Sequence, residues 1–531
     1  RDARRGRGRA GPRRRRERDP AGGRGPPGAG PGRRDRCSGG GSALPPLRPP
    51  NGSVLRPEAP PRRVLGSYGN RIVKTPHLDR LAARGTRFAS AYCQTPICVP
   101  SRASLATGRW PHTLDSWDNA TPYVGAEAPS WGHRLTAQGH HVTTIGKLHY
   151  RRVDDPSGFP DQRVPLHVVD GTGGLYGLLR GDMPPRPQSL RHVVEARAGE
   201  SEYVRYDRAI AETAARWLRE EADAAGRRKP WVLFVGFVSP HFPLVVPDAY
   251  FGLYRQDDLP LPVAWTDSRW SRHPVHELHR RQLGLTTPLD KATVRKAIAA
   301  YYGLVSFLDE QIGMVLAALE ESGLGGSTRV IYTSDHGEML GEHGLWWKST
   351  MFESAVAVPL VVAGADIPVA RVARTNAMLV DVYPTLLEMV GAAPSPEDAA
   401  LPGRSLVALA REPDTDRHAF SEYHAIFSSR GMFMLRLGRW KYVHHVDGAP
   451  ELFDLDTDPD ELRDLALDPG HDGVRETCEA ELSRLVDAQA VDARARAHQR
   501  RRLDAGGGLD RVRSGGPKII YTPPPKEFQG R

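Results

Sequence analysis

CQTPICVPSRASLATGRWPH, Cys93–His112, holds two of the four cysteines in a chain of 531 residues. Zinc sites and disulfide frameworks need partners at workable spacing, and the other two cysteines, Cys37 and Cys478, stand far off in sequence. A ligand or a staple is therefore a poor account of this stretch, which leaves a lone buried thiol or a chemical role. Cys98 is followed by Val99-Pro100-Ser101-Arg102, with a proline between thiol and arginine. Pro100 suits the first turn of a helix and would put Cys98 at its N-terminus, where backbone N–H groups favour an anion.

Outward from this stretch the chain alternates between strand and helix. PWVLFVGFV (Pro230–Val238) is an apolar run of strand length that ends in SPHFP. Ile298, Tyr301, Val305, Leu308, Ile312, Val315 and Leu319 recur every three or four residues, so a long helix is expected, stopped by Gly323. A short strand, Arg329–Thr333, follows and ends in SDHGE, then a buried strand at Pro359–Gly364 and a helix over VDVYPTLLEMVG. Leu78, Leu81 and Ala82 mark an earlier amphipathic helix. This rhythm predicts an α/β fold: a large, mostly parallel sheet flanked by helices on both faces. Polar clusters at the C-terminal ends of such strands are where ligands bind. From residue 410 to 490, GMFMLRLGRWKYVHH and ELFDLDTDPDE suggest a smaller C-terminal α+β subdomain with antiparallel strands. Residues 491–531 resemble a loosely held tail.

Charge is uneven. Residues 1–63 carry 18 Arg and 5 acids, and 43 of the 63 are Arg, Gly or Pro, whereas the rest of the chain is nearly neutral. Such a composition cannot bury a core. Either it is a disordered basic arm that touches nucleic acid, or GC-rich DNA has been translated out of frame. RNA-binding tails usually interleave aromatics, and this one has none, so nucleic acid is not the expected partner. No apolar run approaches the ~20 residues of a membrane span. With few cysteines and no visible targeting segment, the expected location is the cytoplasm.

Cys98-x-Pro100-x-Arg102, with the trailing Leu105-Ala106-Thr107-Gly108-Arg109, resembles the signature of type I sulfatases of the alkaline-phosphatase-like superfamily. The resemblance is to the bacterial enzymes and runs from about Val64 to Pro469, nearest in flavour to the choline-sulfatase and phosphonate-monoester-hydrolase branches. It implies that a formylglycine-generating enzyme oxidises Cys98 to formylglycine, whose hydrated aldehyde cleaves a small sulfate ester. By the same resemblance Arg102 orients residue 98, and Lys147 and His149 of GKLH bind sulfate and touch the nucleophile's hydroxyl. His241 of PHFP contacts sulfate and is a candidate general acid. Lys348 of GEHGLWWKS bridges sulfate and leaving oxygen, and Asn119 is a substrate-side residue. Asp335 and His336 of TSDHGE are implied metal ligands, with the oxygen on residue 98 as another; hard oxygen donors with one imidazole suit Ca²⁺, or alternatively Mn²⁺ or Mg²⁺. Glu342 and His343 read as scaffold.

One part is expected to be missing. Family members begin with a buried strand ending in Asp-Asp or Asp-Gln, and the place before Val64 reads RPEAPPRR. Codons for SDQKHRRD read two bases late would give Arg56–Arg63, which accords with a slipped frame. The catalytic domain is thus expected over 64–409 with its first strand and one metal carboxylate lost, and with impaired activity. Alternatives are a phosphonate or phosphodiester hydrolase using the same nucleophile, and an inactive fold of this kind with a basic nucleic-acid-binding arm.

Overall fold

Four parallel strands lie side by side at the centre of an eight-stranded sheet in the computed structural model of the chain, which describes residues 49–58, 60–181, 183–186, 188–516 and 521–529. In chain order the sheet strands are β1 (Asn51–Arg56), β2 (Gly85–Phe88), β3 (Val142–Lys147), β4 (Asp161–Leu166), β5 (Val232–Gly236), β6 (Thr328–Thr333), β7 (Leu360–Ala363) and β8 (Arg371–Ala373). Their spatial order is β8-β2-β7-β6-β1-β5-β3-β4, and only β7 runs antiparallel to its neighbours. Successive residues of the central strands point to opposite apolar layers, as expected of a sheet covered on both faces. Leu55, Leu233, Val235 and Tyr332 pack on the layer of helices α1 (Pro76–Ala83), α3 (Glu202–Glu220) and α4 (Lys291–Glu321). Val54, Phe234 and Ile331 face the layer of α2 (Cys98–Thr107) and α5 (Val382–Val390). Helix α4 carries the apolar periodicity seen in the sequence. It is the one helix among the described residues long and apolar enough to cross a membrane, and most of it is buried inside the protein.

The first strand is present. NGSVLR forms β1, which pairs with β5 on one edge and β6 on the other, Val54 lying opposite both Phe234 and Ile331. Only Val54 and Leu55 are strongly apolar in it, so its pairing comes from two flanking strands that each offer a complete ladder and not from any pattern of its own. The catalytic unit therefore starts before residue 64. The basic arm expected over residues 1–63 lies, up to position 48, outside the described residues.

A second, antiparallel sheet follows in simple order: β9 (Ala419–Tyr423), β10 (Met432–Leu437), β11 (Trp440–His445) and β12 (Glu451–Asp454). Alternation along β10 explains its two attachments. Met432 and Met434 join the α2/α5 core, while Phe433 and Leu435 pack with Cys478 and Leu482 of α6 (Asp472–Leu485). The tail is not loosely held where it is described. Helix α7 (Ala488–Ala505) buries Gln499, which donates to Asp118 and to the His424 carbonyl, and residues 521–529 lie along α3 with Arg205 donating to the Phe528 carbonyl at 3.0 Å.

Candidate active site

All four central strands deliver polar residues at the same, C-terminal edge. Just past β6 come Asp335 and His336, past β1 Glu58, past β5 His241, and at the end of β3 Lys147 and His149. Two local devices aim them. Gly146, at φ 92°, sits where a Cβ would lie 2.3 Å from the Gly236 carbonyl oxygen, and β3 shifts register against β4 around it, which turns Lys147 inward. Asp207 of α3 accepts from the Val238 and Ser239 amides at 2.8 and 2.7 Å, anchoring the loop that carries His241.

Cys98 is the first residue of α2, and it faces this edge fully buried. Its Sγ lies 2.8 Å from Glu58 Oε1 and 3.4 Å from His336 Nε2. Glu58, Cys98, Asp335 and His336 each place a ligand atom within 4.8 Å of the others. Each carboxylate turns one oxygen to a cationic side chain: Glu58 Oε2 holds Lys147, and Asp335 Oδ2 takes Arg102 Nε at 2.8 Å and Arg56 at 3.0 Å. Arg102 also donates to the Lys147 carbonyl at 2.8 Å, tying the helix to β3. His336 donates from Nδ1 to the Gly337 carbonyl at 2.8 Å, so the hydrogen-bond network assigns the proton there and leaves the Nε2 lone pair facing Cys98. His241 is held the same way by the Phe242 carbonyl, its Nε2 lying 3.9 Å from Glu58.

Burial dominates the electrostatics. It pushes the Cys98 thiol up to about 12, with Glu58 adding to the effect. It brings His336 down to about 4 against the pull of Asp335, and with Lys348 it holds His241 well below the usual imidazole range. Burial would raise the Glu58 carboxyl, but Lys147 and His241 hold it well below the usual range. Lys348 moves up: burial opposes its charge, but the Cys98 thiol, Glu338 and Glu58 outweigh that. Its Nζ is buried with no hydrogen-bond partner among the described residues.

Cys98, Asn119, Lys147, His149, His241 and Lys348 all line one cavity of about 730 Å³. Asp335 and His336 adjoin Cys98 from beneath, and Arg102 stands behind them, so the residues singled out from the sequence converge. Asn119 has a partner inside the protein as well, accepting from the Val99 amide of α2 at 3.0 Å. His149 sits at φ 63°, a left-handed conformation rare for such a residue, and its Nε2 meets Thr522 Oγ1 at 2.9 Å. Glu342 and His343 lie apart from this group: Glu342 accepts from the Leu340 amide, and His343 stacks on Phe352.

Three contributors were not expected. Glu58 supplies the carboxylate thought to be lost, from a Pro-Glu turn that carries no aspartate to mark it. Tyr521 and Thr522 form part of the cavity wall, Tyr521 packing on Tyr203 and Phe242, and nothing local in the sequence signals that contact.

The sulfatase family profile matches residues 60–392. The chain belongs to the sulfatase family. A second profile, that of the N-sulphoglucosamine sulphohydrolase C-terminal region, matches residues 341–488 of this sulfatase. Arylsulfatase K of Homo sapiens is 31% identical to it over 430 residues, 75% of either chain. The choline-sulfatase of Rhizobium meliloti (strain 1021) is 30% identical over 463 residues, covering 81% of this chain and 86% of its own. Among solved structures, the phosphonate monoester hydrolase of Agrobacterium radiobacter shares the fold with a TM-score of 0.67 at 24% identity, over 84% of this chain and 96% of its own. The protein is accordingly a sulfuric-ester hydrolase.

Proposed function

We propose that this sulfatase hydrolyses a small sulfate monoester through a formylglycine made from Cys98 by a formylglycine-generating enzyme, with a divalent cation held by Glu58, Asp335, His336 and residue 98. The observation that carries this reading is the setting of Cys98: a fully buried thiol at a helix N-terminus, between a carboxylate and an imidazole, facing a cavity rich in cations. A thiol raised to about 12 is a poor nucleophile at neutral pH, so the unmodified residue is ill suited to its position. When formed, formylglycine supplies a hydrated aldehyde, one hydroxyl to attack sulfur and a second to expel sulfate, and the cation lowers the pKa of the attacking hydroxyl. The donor set of two carboxylates and one imidazole suits a hard divalent ion such as Ca²⁺, Mn²⁺ or Mg²⁺.

The chain's own residues do the rest. Lys147 and the unpartnered Lys348 meet the sulfate oxygens, and the N-terminus of α2 adds its dipole to that anion site. Arg102 holds Asp335 in place through its Nε. His241 faces the same space through Nε2; a bound sulfate brings negative charge against it and favours the protonated form that donates to the leaving alcohol.

The test is the mass of the tryptic peptide Phe88–Arg102 from protein isolated in its native host, followed by turnover of an aryl sulfate and an aryl phosphonate monoester. An aldehyde at residue 98 with Cys93 unchanged, and a higher kcat/KM for the sulfate, is expected. Two intact thiols would remove the proposed chemistry. A second reading, phosphonate monoester hydrolysis, is favoured by the likeness to the phosphonate monoester hydrolase fold and by a cation cage that takes either tetrahedral anion; a higher kcat/KM for the phosphonate would select it.

A further inference from the structure

Arg186 stands in the wall of the same cavity, its guanidinium 4.2 Å from the ring centroid of Tyr176 and 5.9 Å from that of Phe427. Stacking of this kind fixes a guanidinium in one plane while leaving its N–H edge available to a planar or tetrahedral anion. Among the described residues no carboxylate pairs with it: burial disfavours its charge, Tyr176 and Tyr423 only partly oppose that, and its Nε is buried without a hydrogen-bond partner. Nearby Arg180 makes the contrast, because Asp492 pairs with it at 2.6 Å.

Charge around the whole cavity points the same way. Lys147, Lys348, Arg186 and Arg511 line it, against the carboxylates of Glu58 and Asp170. Glu58 is already paired with Lys147. One sulfate ester monoanion is met by the lysines at the Cys98 end, which leaves Arg186, with Arg511 at the exposed side, against the single carboxylate of Asp170, and among the described residues no ion pair joins either arginine to it. A half-buried cation with no partner is costly unless a ligand supplies one.

We propose that Arg186, clamped by Tyr176 and Phe427, is a second anion subsite, so that the substrate carries a further carboxylate or sulfate group beside the ester that is cleaved. The proposal rests on the sulfate-ester reading above. A leaving group with a fixed positive charge is disfavoured by the same guanidinium.

Binding of inert sulfonates tests this without turnover, so that a failure of the formylglycine chemistry and a failure of the subsite are told apart. Calorimetric titrations of the full-length, matured protein would compare benzenesulfonate with benzene-1,3-disulfonate, 3-sulfobenzoate and 3-(trimethylammonio)benzenesulfonate. One charge-assisted contact predicts that a doubly anionic probe binds about 10- to 100-fold more tightly than benzenesulfonate. In Arg186→Gln that preference falls to within about twofold, and Arg186→Lys, which keeps the charge but not the planar fork, retains part of it. Tighter binding of the disulfonate assigns the subsite to a second sulfate, and tighter binding of the sulfobenzoate assigns it to a carboxylate. Equal affinity for all the probes in the wild type, no binding by any of them, tighter binding of the trimethylammonio compound, or a preference that survives in Arg186→Gln would overturn the proposal.

Discussion

Glu58 Oε1 lies 2.8 Å from Cys98 Sγ while its other oxygen holds Lys147, so one carboxylate joins the proposed nucleophile position to the lysine proposed to meet sulfate. Glu58→Gln keeps the shape and removes the charge. It leaves Lys147 buried without a counter-ion, a loss of about 3–5 kcal/mol for a broken buried pair. The expected outcome is a lower melting temperature and divalent-cation affinity reduced by about 100-fold or more, read by calorimetry. Glu58→Asp, which retains the charge, keeps part of both. Unchanged cation affinity in Glu58→Gln would remove Glu58 from the ligand set.

Arg56 ends β1 with 1% of its surface exposed and shares Asp335 Oδ2 with Arg102. Burial, with Arg102 beside it, brings Arg56 down to about 10, so it remains a cation at neutral pH. A fixed positive charge on this proposed ligand carboxylate opposes a second one. Arg56→Met preserves length and apolar packing, and Arg102 remains to hold Asp335. Divalent-cation affinity should rise by about tenfold, in keeping with removal of one partly screened like charge. Titration with Ca²⁺ and Mg²⁺ reads this directly, and equal or weaker binding in the variant counts against it.

His149 meets Thr522 across 373 residues of sequence, and Tyr203 donates to the Thr522 carbonyl, so the C-terminal segment closes one side of the cavity. Thr522→Val keeps the shape but loses the hydroxyl that partners His149 Nε2. Since His149 Nδ1 is buried with no partner among the described residues, the ring is left with no hydrogen bond from them at either nitrogen. A fall in kcat of about tenfold with KM changed less is the expected signature of a positioning role. Removing residues 521–531 should instead raise KM strongly, because Tyr521 leaves the wall. Equal effects on KM and kcat from both changes would mean the segment is only structural.

The site was legible where chemistry demands particular residues at particular spacing. Cys98-x-Pro100-x-Arg102, Lys147-x-His149, Pro240-His241 and Asp335-His336 each follow or begin an element whose apolar pattern is plain, and all four meet at one sheet edge. What escaped the sequence depends on partners distant in the chain. Val54 and Leu55 are too few to announce a strand, and β1 exists because β5 and β6 both present open edges to it. Glu58 looks like a surface turn between prolines until Lys147 and Cys98 are brought beside it. Tyr521 and Thr522 sit in a Pro-rich stretch whose order comes from Tyr203, Phe242 and His149. Convergence of distant elements is a tertiary fact that no local pattern encodes.

Glu422, buried on β9, accepts from the His112 amide at 3.0 Å, from His112 Nδ1 at 2.9 Å and from His424 Nε2 at 3.0 Å, fastening the antiparallel sheet to the segment after α2. Burial alone would raise its carboxyl, but the two imidazoles bring it from 4.5 down to about 2. The folded state therefore holds fewer protons than the unfolded one between those values. Stability from this group is intact above pH 4.5 and is lost as pH falls toward 2. His112 is raised in return, by Glu422 against the effect of burial, and its share is present below its ordinary 6.5 and lost as pH climbs through its elevated value. The wild-type melting temperature should thus fall steeply below about pH 4.5, by an amount equivalent to at most about 3 kcal/mol from Glu422. Glu422→Gln should be less stable at neutral pH and show a flatter acid limb, because the group whose protonation drives that limb is gone. Thermal melts of both proteins between about pH 3 and pH 7 decide it: parallel acid limbs would show that Glu422 does not couple the sheet to the catalytic layer in the way its three hydrogen bonds require.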